Sequence, residues 1–235
     1  MRYPSRVLVT GAGRGIGRAI VEAFVESGSR VHGVARTEME LSALAKDLEI
    51  STSVADVRVR SDVERVREDI LRELGGLDVL VNNAGIWMER AFLEYTPAEW
   101  DETVSTNLTS IFHVTQILLP VLLDSGDGRV INIASIDGQV GFAKLVAQCA
   151  SKAGVIGFTK ALAKELWDKP ITVNAICPAE VDKSVHWAKT PERVAGPQKA
   201  LPRDVAQAAT YLASPDAVCI NGTTIDVHGV GFLAS

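Results

Sequence analysis

Apolar residues recur along this chain in two alternating rhythms. Short runs of strand length, Arg6–Thr10, Arg30–Ala35, Ser51–Ala55, Val79–Asn82, Val130–Ala134, Thr172–Ile176 and Thr224–Val227, are mostly continuous in hydrophobicity rather than alternating. Uninterrupted apolar runs are what strands need when both faces of their sheet are covered. Between them the period lengthens to that of an amphipathic helix, as in the stripe Val63, Val66, Ile70, Leu71 and Leu74. Ser61 with Glu64, and Thr96 with Glu99, have the spacing of a capping box, and Pro97 follows at the favoured first helical position. Gly28 is placed to end the first helix. Long apolar helices are expected from Pro97 to about Asp124 and from about Val146 to about Trp167. Repeated strand–helix–strand units with right-handed crossovers predict an α/β fold: a doubly wound parallel sheet of about seven strands with helices on both faces. Nothing reads as a linker or a low-complexity segment, so 1–235 is expected to be one domain. The least regular stretch, Glu180–Leu201, is expected to be a loop over the site.

Composition narrows the class without deciding the function. Twenty-four basic residues stand against 29 acidic ones, a formal charge of −5, and no basic run stands out. Nucleic acid and anionic membrane are therefore not expected partners. Cys149, Cys177 and Cys219 are an odd, widely spaced set without metal-ligand spacing, which reads as buried reduced thiols in a reducing compartment. The apolar stretch before Thr10 is too short for a signal peptide, and no run of residues reads as membrane-spanning, so a cytoplasmic protein is expected.

The first candidate chemistry lies where the first strand meets the first helix. Thr10-Gly11-Ala12-Gly13-Arg14-Gly15-Ile16-Gly17 allows a tight turn and close backbone approach by a pyrophosphate, facing the unpaired N–H groups of a helix start. Glycines alone could be a structural turn, but here the strand–turn–helix context that a dinucleotide site requires is present. An acidic residue at the end of the second strand would hold the adenosine ribose and favour NAD. The sequence there is Val34-Ala35-Arg36-Thr37, which offers no carboxylate. Arg36 and Arg14 are placed to bind a 2′-phosphate unless both are solvated surface charges, so NADP(H) is expected over NAD(H).

The spacing Thr-Gly-x-x-x-Gly-x-Gly resembles that of the short-chain dehydrogenase/reductase family, and further motifs follow in that family's order over essentially the whole chain. Asp56-Val57 falls where the family contacts adenine, and Asn82-Asn83-Ala84-Gly85 where it stabilises the sheet and borders the cofactor. Asn107 lies in the long helix, Ser135 at the end of the fifth strand, and Ser151-Lys152-Ala153-Gly154 on the next helix. The resemblance implies a Rossmann-type fold, a nicotinamide cofactor, a small-molecule substrate and a homodimer or homotetramer paired through the two long helices. It places Gly11, Arg14, Gly15, Ile16, Gly17, Arg36, Asp56, Val57, Asn83, Ala84, Gly85, Lys152, Pro178 and Val181 at the cofactor. Members close to the 3-oxoacyl carrier protein reductases are the nearest in pattern.

One position departs from the family's chemistry. The family uses a serine, a tyrosine and a lysine four residues after the tyrosine, with an asparagine supporting a proton relay. Ser135, Lys152 and Asn107 match, but the residue four before Lys152 is Gln148, and no tyrosine occurs between Tyr95 and Tyr211. Gln148 can orient a carbonyl or a water but cannot act as a general acid near neutral pH. Water relayed from Lys152, Asp137 or His186 are the available substitutes. After the sixth strand the chain reads Pro178-Ala179-Glu180-Val181-Asp182-Lys183, so Ala179 and Lys183 replace a glycine and a hydroxyl expected by resemblance. Trp87 and Trp187 either line the pocket or are plain core residues. The expected function is an oxidoreductase with altered proton handling, reducing a carbonyl or an imine- or iminium-like acceptor. The alternatives are a cofactor-binding protein without turnover, or a ketoreductase in which Gln148 replaces a native tyrosine.

Overall fold

The computed structural model describes residues 6–181 and 199–229. Seven strands, β1 (Arg6–Thr10), β2 (Arg30–Ala35), β3 (Ser51–Val54), β4 (Val79–Asn82), β5 (Gly128–Ile133), β6 (Ile171–Pro178) and β7 (Thr224–Val227), form one parallel sheet in the order β3-β2-β1-β4-β5-β6-β7. The order reverses between β1 and β4, which pair in register as Val7–Val79, Leu8–Leu80 and Val9–Val81. Both are buried on both faces apart from the first residue of β1, which is why their sequences are continuously apolar. The predicted strands are all present: β1, β2, β4 and β7 have the expected bounds, and the ends of β3, β5 and β6 shift by one or two residues.

The helices divide between the two faces. α1 (Gly15–Glu26), α2 (Glu38–Leu48) and α8 (Pro202–Ala213) cover one face through Ile20, Phe24, Leu41, Leu44, Val205 and Leu212. α3 (Arg60–Glu73), α5 (Ser110–Asp124) and α7 (Val146–Glu165) lie over the other, where Val66, Ile70, Leu118, Leu122 and Ala163 pack. α4 (Pro97–Val104) runs into α5 through a π-helical turn, Ser105–Thr109, and α6 (Asp137–Val140) is a single turn before α7. The combined helix Pro97–Asp124 is, contrary to the sequence expectation, long and apolar enough by length and composition to cross a membrane. Its apolar stripe, Val114, Ile117, Leu118, Val121 and Leu122, belongs to the core beside the sheet.

The Thr96–Glu99 capping box forms in both directions with Pro97 at the helix start. Gly28, at φ +84°, follows α1, and the Gly28 and Ser29 N–H groups donate to Val25 and Phe24 carbonyls, closing that helix. The Ser61–Glu64 box does not form: α3 begins at Arg60 with Val59 as its cap, and no side chain caps it. Ser61 is already inside the first turn, and Asp62 instead turns back to accept the Asp56 N–H at 2.9 Å. Of the cysteines, all free, only Cys177 is buried; Cys149 is half-buried and Cys219 exposed, so the expectation of three buried thiols is corrected.

Candidate active site

The sequence-predicted residues converge on the carboxyl ends of the strands, where open α/β sheets bind ligands. In the β1–α1 turn, Gly11 and Gly15 have φ of +65° and +56°, values open to glycine. A Cβ at Gly17 would lie 2.0 Å from the Gly11 carbonyl oxygen, so the turn closes only on glycine there. At Gly15 a Cβ would meet nothing within 4 Å, which leaves open space over the turn. Arg14 caps α1 without a side-chain bond to the helix, and Ile16 follows as a partly buried core residue.

The Asn82–Gly85 segment locks this turn from behind. Asn83 and Ala84 N–H groups both donate to Thr10 Oγ1 at 3.0 Å, and Asn83 Nδ2 donates to the Thr10 carbonyl at 2.9 Å. Asn82 Nδ2 ties β4 to Asn132 Oδ1 and Thr115 Oγ1. A Cβ on Gly85 would sit 3.1 Å from Asn107 Oδ1, a tight contact, and 3.7 Å from Lys152 Nζ, so the glycine lies directly against both residues.

At the end where the sequence places the adenosine, charges pair among themselves. Arg14 is exposed and reaches Glu40 at 3.8 Å, while Arg36 is exposed at the end of β2. The Asp56 carboxylate is held by Arg58 at 2.6 Å, and that hydrogen bond keeps its pKa below the usual carboxylate value. Val57 is buried behind it. Sequence reasoning missed Glu40 and Arg58. Arg58 is two residues from Asp56, but nothing in the spacing says the side chains fold onto each other.

At the other end, Ser135, Gln148, Lys152 and Asn107 are all buried. Asn107 sits in the π-helical turn, an irregularity that often marks functional sites. Its Oδ1 accepts the Ile86 N–H at 2.8 Å, and its Nδ2 donates to the Ile86 carbonyl at 3.0 Å, to Gln148 Oε1 at 2.9 Å and to Ser151 Oγ at 3.2 Å. Gln148 Nε2 donates to Asp137 Oδ2 at 3.2 Å. The Asp137 N–H donates in turn to Ser135 Oγ at 3.1 Å, and Ser135 Oγ lies 3.4 Å from the Pro178 carbonyl. Lys152 Nζ donates to the Ile133 carbonyl at 2.7 Å. Burial brings Lys152 down from the usual 10.5 to about 8, with Asp137 opposing the shift. Val181 forms an isolated bridge to Ala200.

Asp137 therefore joins the site that the sequence offered it only as a candidate for. Trp87 is exposed, so it is not a core residue. Lys183, His186 and Trp187 lie outside the described residues.

A model of the short chain dehydrogenase family matches residues 5–194. The chain belongs to the short-chain dehydrogenase family. It is 37% identical over 236 residues, 97% of this chain and 98% of its relative, to the 3-oxoacyl-(acyl-carrier-protein) reductase FabG of Haemophilus influenzae. It is 40% identical over 244 residues, 98% of this chain and all of its relative, to the acetoacetyl-CoA reductase of Rhizobium meliloti. Among solved structures, a variant of the actinorhodin polyketide ketoreductase with NADPH superposes with a TM-score of 0.87 at 34% identity, covering 96% of each chain. Membership makes this protein an oxidoreductase, and the seven-stranded parallel sheet is the one its ketoreductase neighbour shares.

Proposed function

We propose that this short-chain dehydrogenase is an NADP(H)-dependent reductase of a small molecule bearing a C=O or C=N group, working without a phenolic acid at position 148. The observation that carries the reading is the Asn107–Gln148–Asp137 hydrogen-bonded line beside Lys152 and Ser135. It puts a neutral amide where the family resemblance calls for a titratable hydroxyl.

The residues present fit a dinucleotide. The open space at Gly15 leaves room for a pyrophosphate against the start of α1. Arg36 and Arg14 are exposed and would meet a 2′-phosphate. Asp56 and Val57 would border the adenine, Asn83, Ala84 and Gly85 would border the cofactor, Pro178 and Val181 would lie near the carboxamide, and Lys152 would hold the ribose. When bound, the nicotinamide supplies the hydride.

Ser135 and the amide of Gln148 then orient the acceptor atom by hydrogen bonds. The amide holds its own protons too tightly to give one up, so Gln148 is a donor of a hydrogen bond and not of a proton. An iminium ion, the protonated form of a basic cyclic imine, places the least demand on such a site. It takes hydride and becomes a neutral amine with no further proton, whereas a carbonyl oxygen must draw its proton from water relayed from Lys152. The similarity to 3-oxoacyl and acetoacetyl-CoA reductases makes acetoacetyl-CoA the first carbonyl to try. We read the protein as cytoplasmic, and as a homodimer or homotetramer.

The test is NADPH oxidation across acetoacetyl-CoA, simple ketones and cyclic imines. Turnover of at least one class, with activated acceptors ahead of simple ketones, is expected. NADPH binding without oxidation by any of them would instead make the chain a cofactor-binding protein that has lost turnover.

A further inference from the structure

The polarity of the Gln148 amide is set by its surroundings, beginning at the Ile86 backbone. Ile86 offers Asn107 one N–H and one carbonyl, which only one orientation of the Asn107 amide satisfies. That orientation turns Nδ2 toward α7, where Gln148 must present Oε1 to accept it. Gln148 Nε2 is left pointing the other way, and its partner there is Asp137 Oδ2. Asp137 is itself anchored: its N–H is on Ser135 Oγ, and the next residue, Gly138, lets α6 touch the backbone of α7. A Cβ on Gly138 would lie 2.5 Å from Ala153 N and from the Lys152 carbonyl carbon.

We infer that Asp137 is a positioning residue, which fixes Gln148 with its remaining Nε2 hydrogen directed to the acceptor atom. The inference rests on the reductase reading above. Without the carboxylate, the amide keeps only its Asn107 contact and turns about its own axis, so the donor is no longer preorganised. A carboxylate at 137 is suited to the task because it only accepts, and so cannot compete for the other end of the amide.

Two measurements test this. The chain has five glutamines, Gln116, Gln139, Gln148, Gln198 and Gln207, so side-chain 15N labelling of glutamine gives few signals, and Gln148→Ala assigns the one of interest. In the unaltered protein the Gln148 amide protons are expected to exchange slowly. Asp137→Ala should speed their exchange about 10-fold or more, the loss of one half-buried charge-assisted bond, and Asp137→Asn, which keeps an oxygen acceptor, should restore protection. Unchanged exchange in Asp137→Ala overturns the inference whether or not any acceptor is turned over. The second measurement is a double-mutant cycle in kcat, with the best acceptor from the NADPH screen. Asp137→Ala is expected to cost about 10-fold alone but less than about 2-fold in a Gln148→Ala background, because a residue acting through another has nothing left to act on. Equal losses in both backgrounds would show a merely structural role. A screen without turnover would sink the reductase reading and leave the exchange experiment to decide Asp137.

Discussion

Lys152 is a charged group in a place that does not favour charge. Its burial lowers its pKa from 10.5 to about 8, so at pH 7 the folded protein holds an ammonium that the unfolded chain holds far more cheaply. The difference corresponds to about 3 kcal/mol at 1.36 kcal/mol per pH unit, an order-of-magnitude figure. Because the folded pKa lies below the unfolded one, the penalty is absent above pH 10.5, grows as pH falls through the interval to 8, and is complete at pH 7. Lys152→Met, which nearly conserves volume, should remove it. The substitution also strips the Ile133 carbonyl of its donor, which costs about 1–3 kcal/mol for an unsatisfied buried acceptor. The net expectation is a variant equal to or up to about 2 kcal/mol more stable than the parent at pH 7. Against the parent, its advantage shrinks by about 3 kcal/mol between pH 7 and pH 10.5. Urea denaturation of both proteins at pH 7, 8.5 and 10 measures this, and NADPH titration of the same samples should show weakened binding. A stability difference that does not change with pH would refute the argument that burial of the ammonium is costly. Stability gained together with binding lost is the mark of a residue retained for function.

Two further outcomes concern the cofactor. Arg36→Ala is expected to weaken NADPH by about 10- to 100-fold, the worth of one charge-assisted contact, while leaving NADH unchanged; calorimetry on both cofactors checks it, and parallel losses would remove Arg36 from the 2′-phosphate. Gly15→Val should abolish NADPH binding with native circular dichroism, since its φ of +56° and the empty space beyond give a strained but uncrowded fold. Unchanged affinity in that variant would make the turn purely structural.

The sheet was legible because parallel strands covered on both faces are largely apolar, and β4, β5 and β6 are buried along their whole length, with their few polar residues, such as Asn82 and Asn132, paired to each other. Ser135, Lys152 and Asn107 were legible from their order along the chain. Asp137 was visible as a residue near Ser135, but not as the partner of Gln148. That contact depends on how closely α6 packs on α7, which rests on Gly138 and has no signature in spacing. The π-helical turn at Ser105–Thr109 was equally hidden, since no residue type in Ser-Thr-Asn-Leu-Thr marks a widened helical turn. The pairing of Arg14 with Glu40 was missed because the two residues meet through the fold and not along one helix. Ser61 failed as a cap because the backbone of Val59 starts the helix two residues earlier than the side-chain pattern implies.

The central claim is that the reaction proceeds with an amide in place of an acid at position 148, and Gln148→Tyr tests it most directly. The measurement is the rate of NADPH oxidation by acetoacetyl-CoA and by a cyclic imine, for the parent and the variant side by side. A restored phenol beside Lys152 is expected to raise carbonyl reduction by about 10²-fold or more, the usual worth of a positioned general acid, while imine reduction stays flat or falls. A parent enzyme that already reduces simple ketones at ordinary rates, and gains nothing from Gln148→Tyr, would contradict the account.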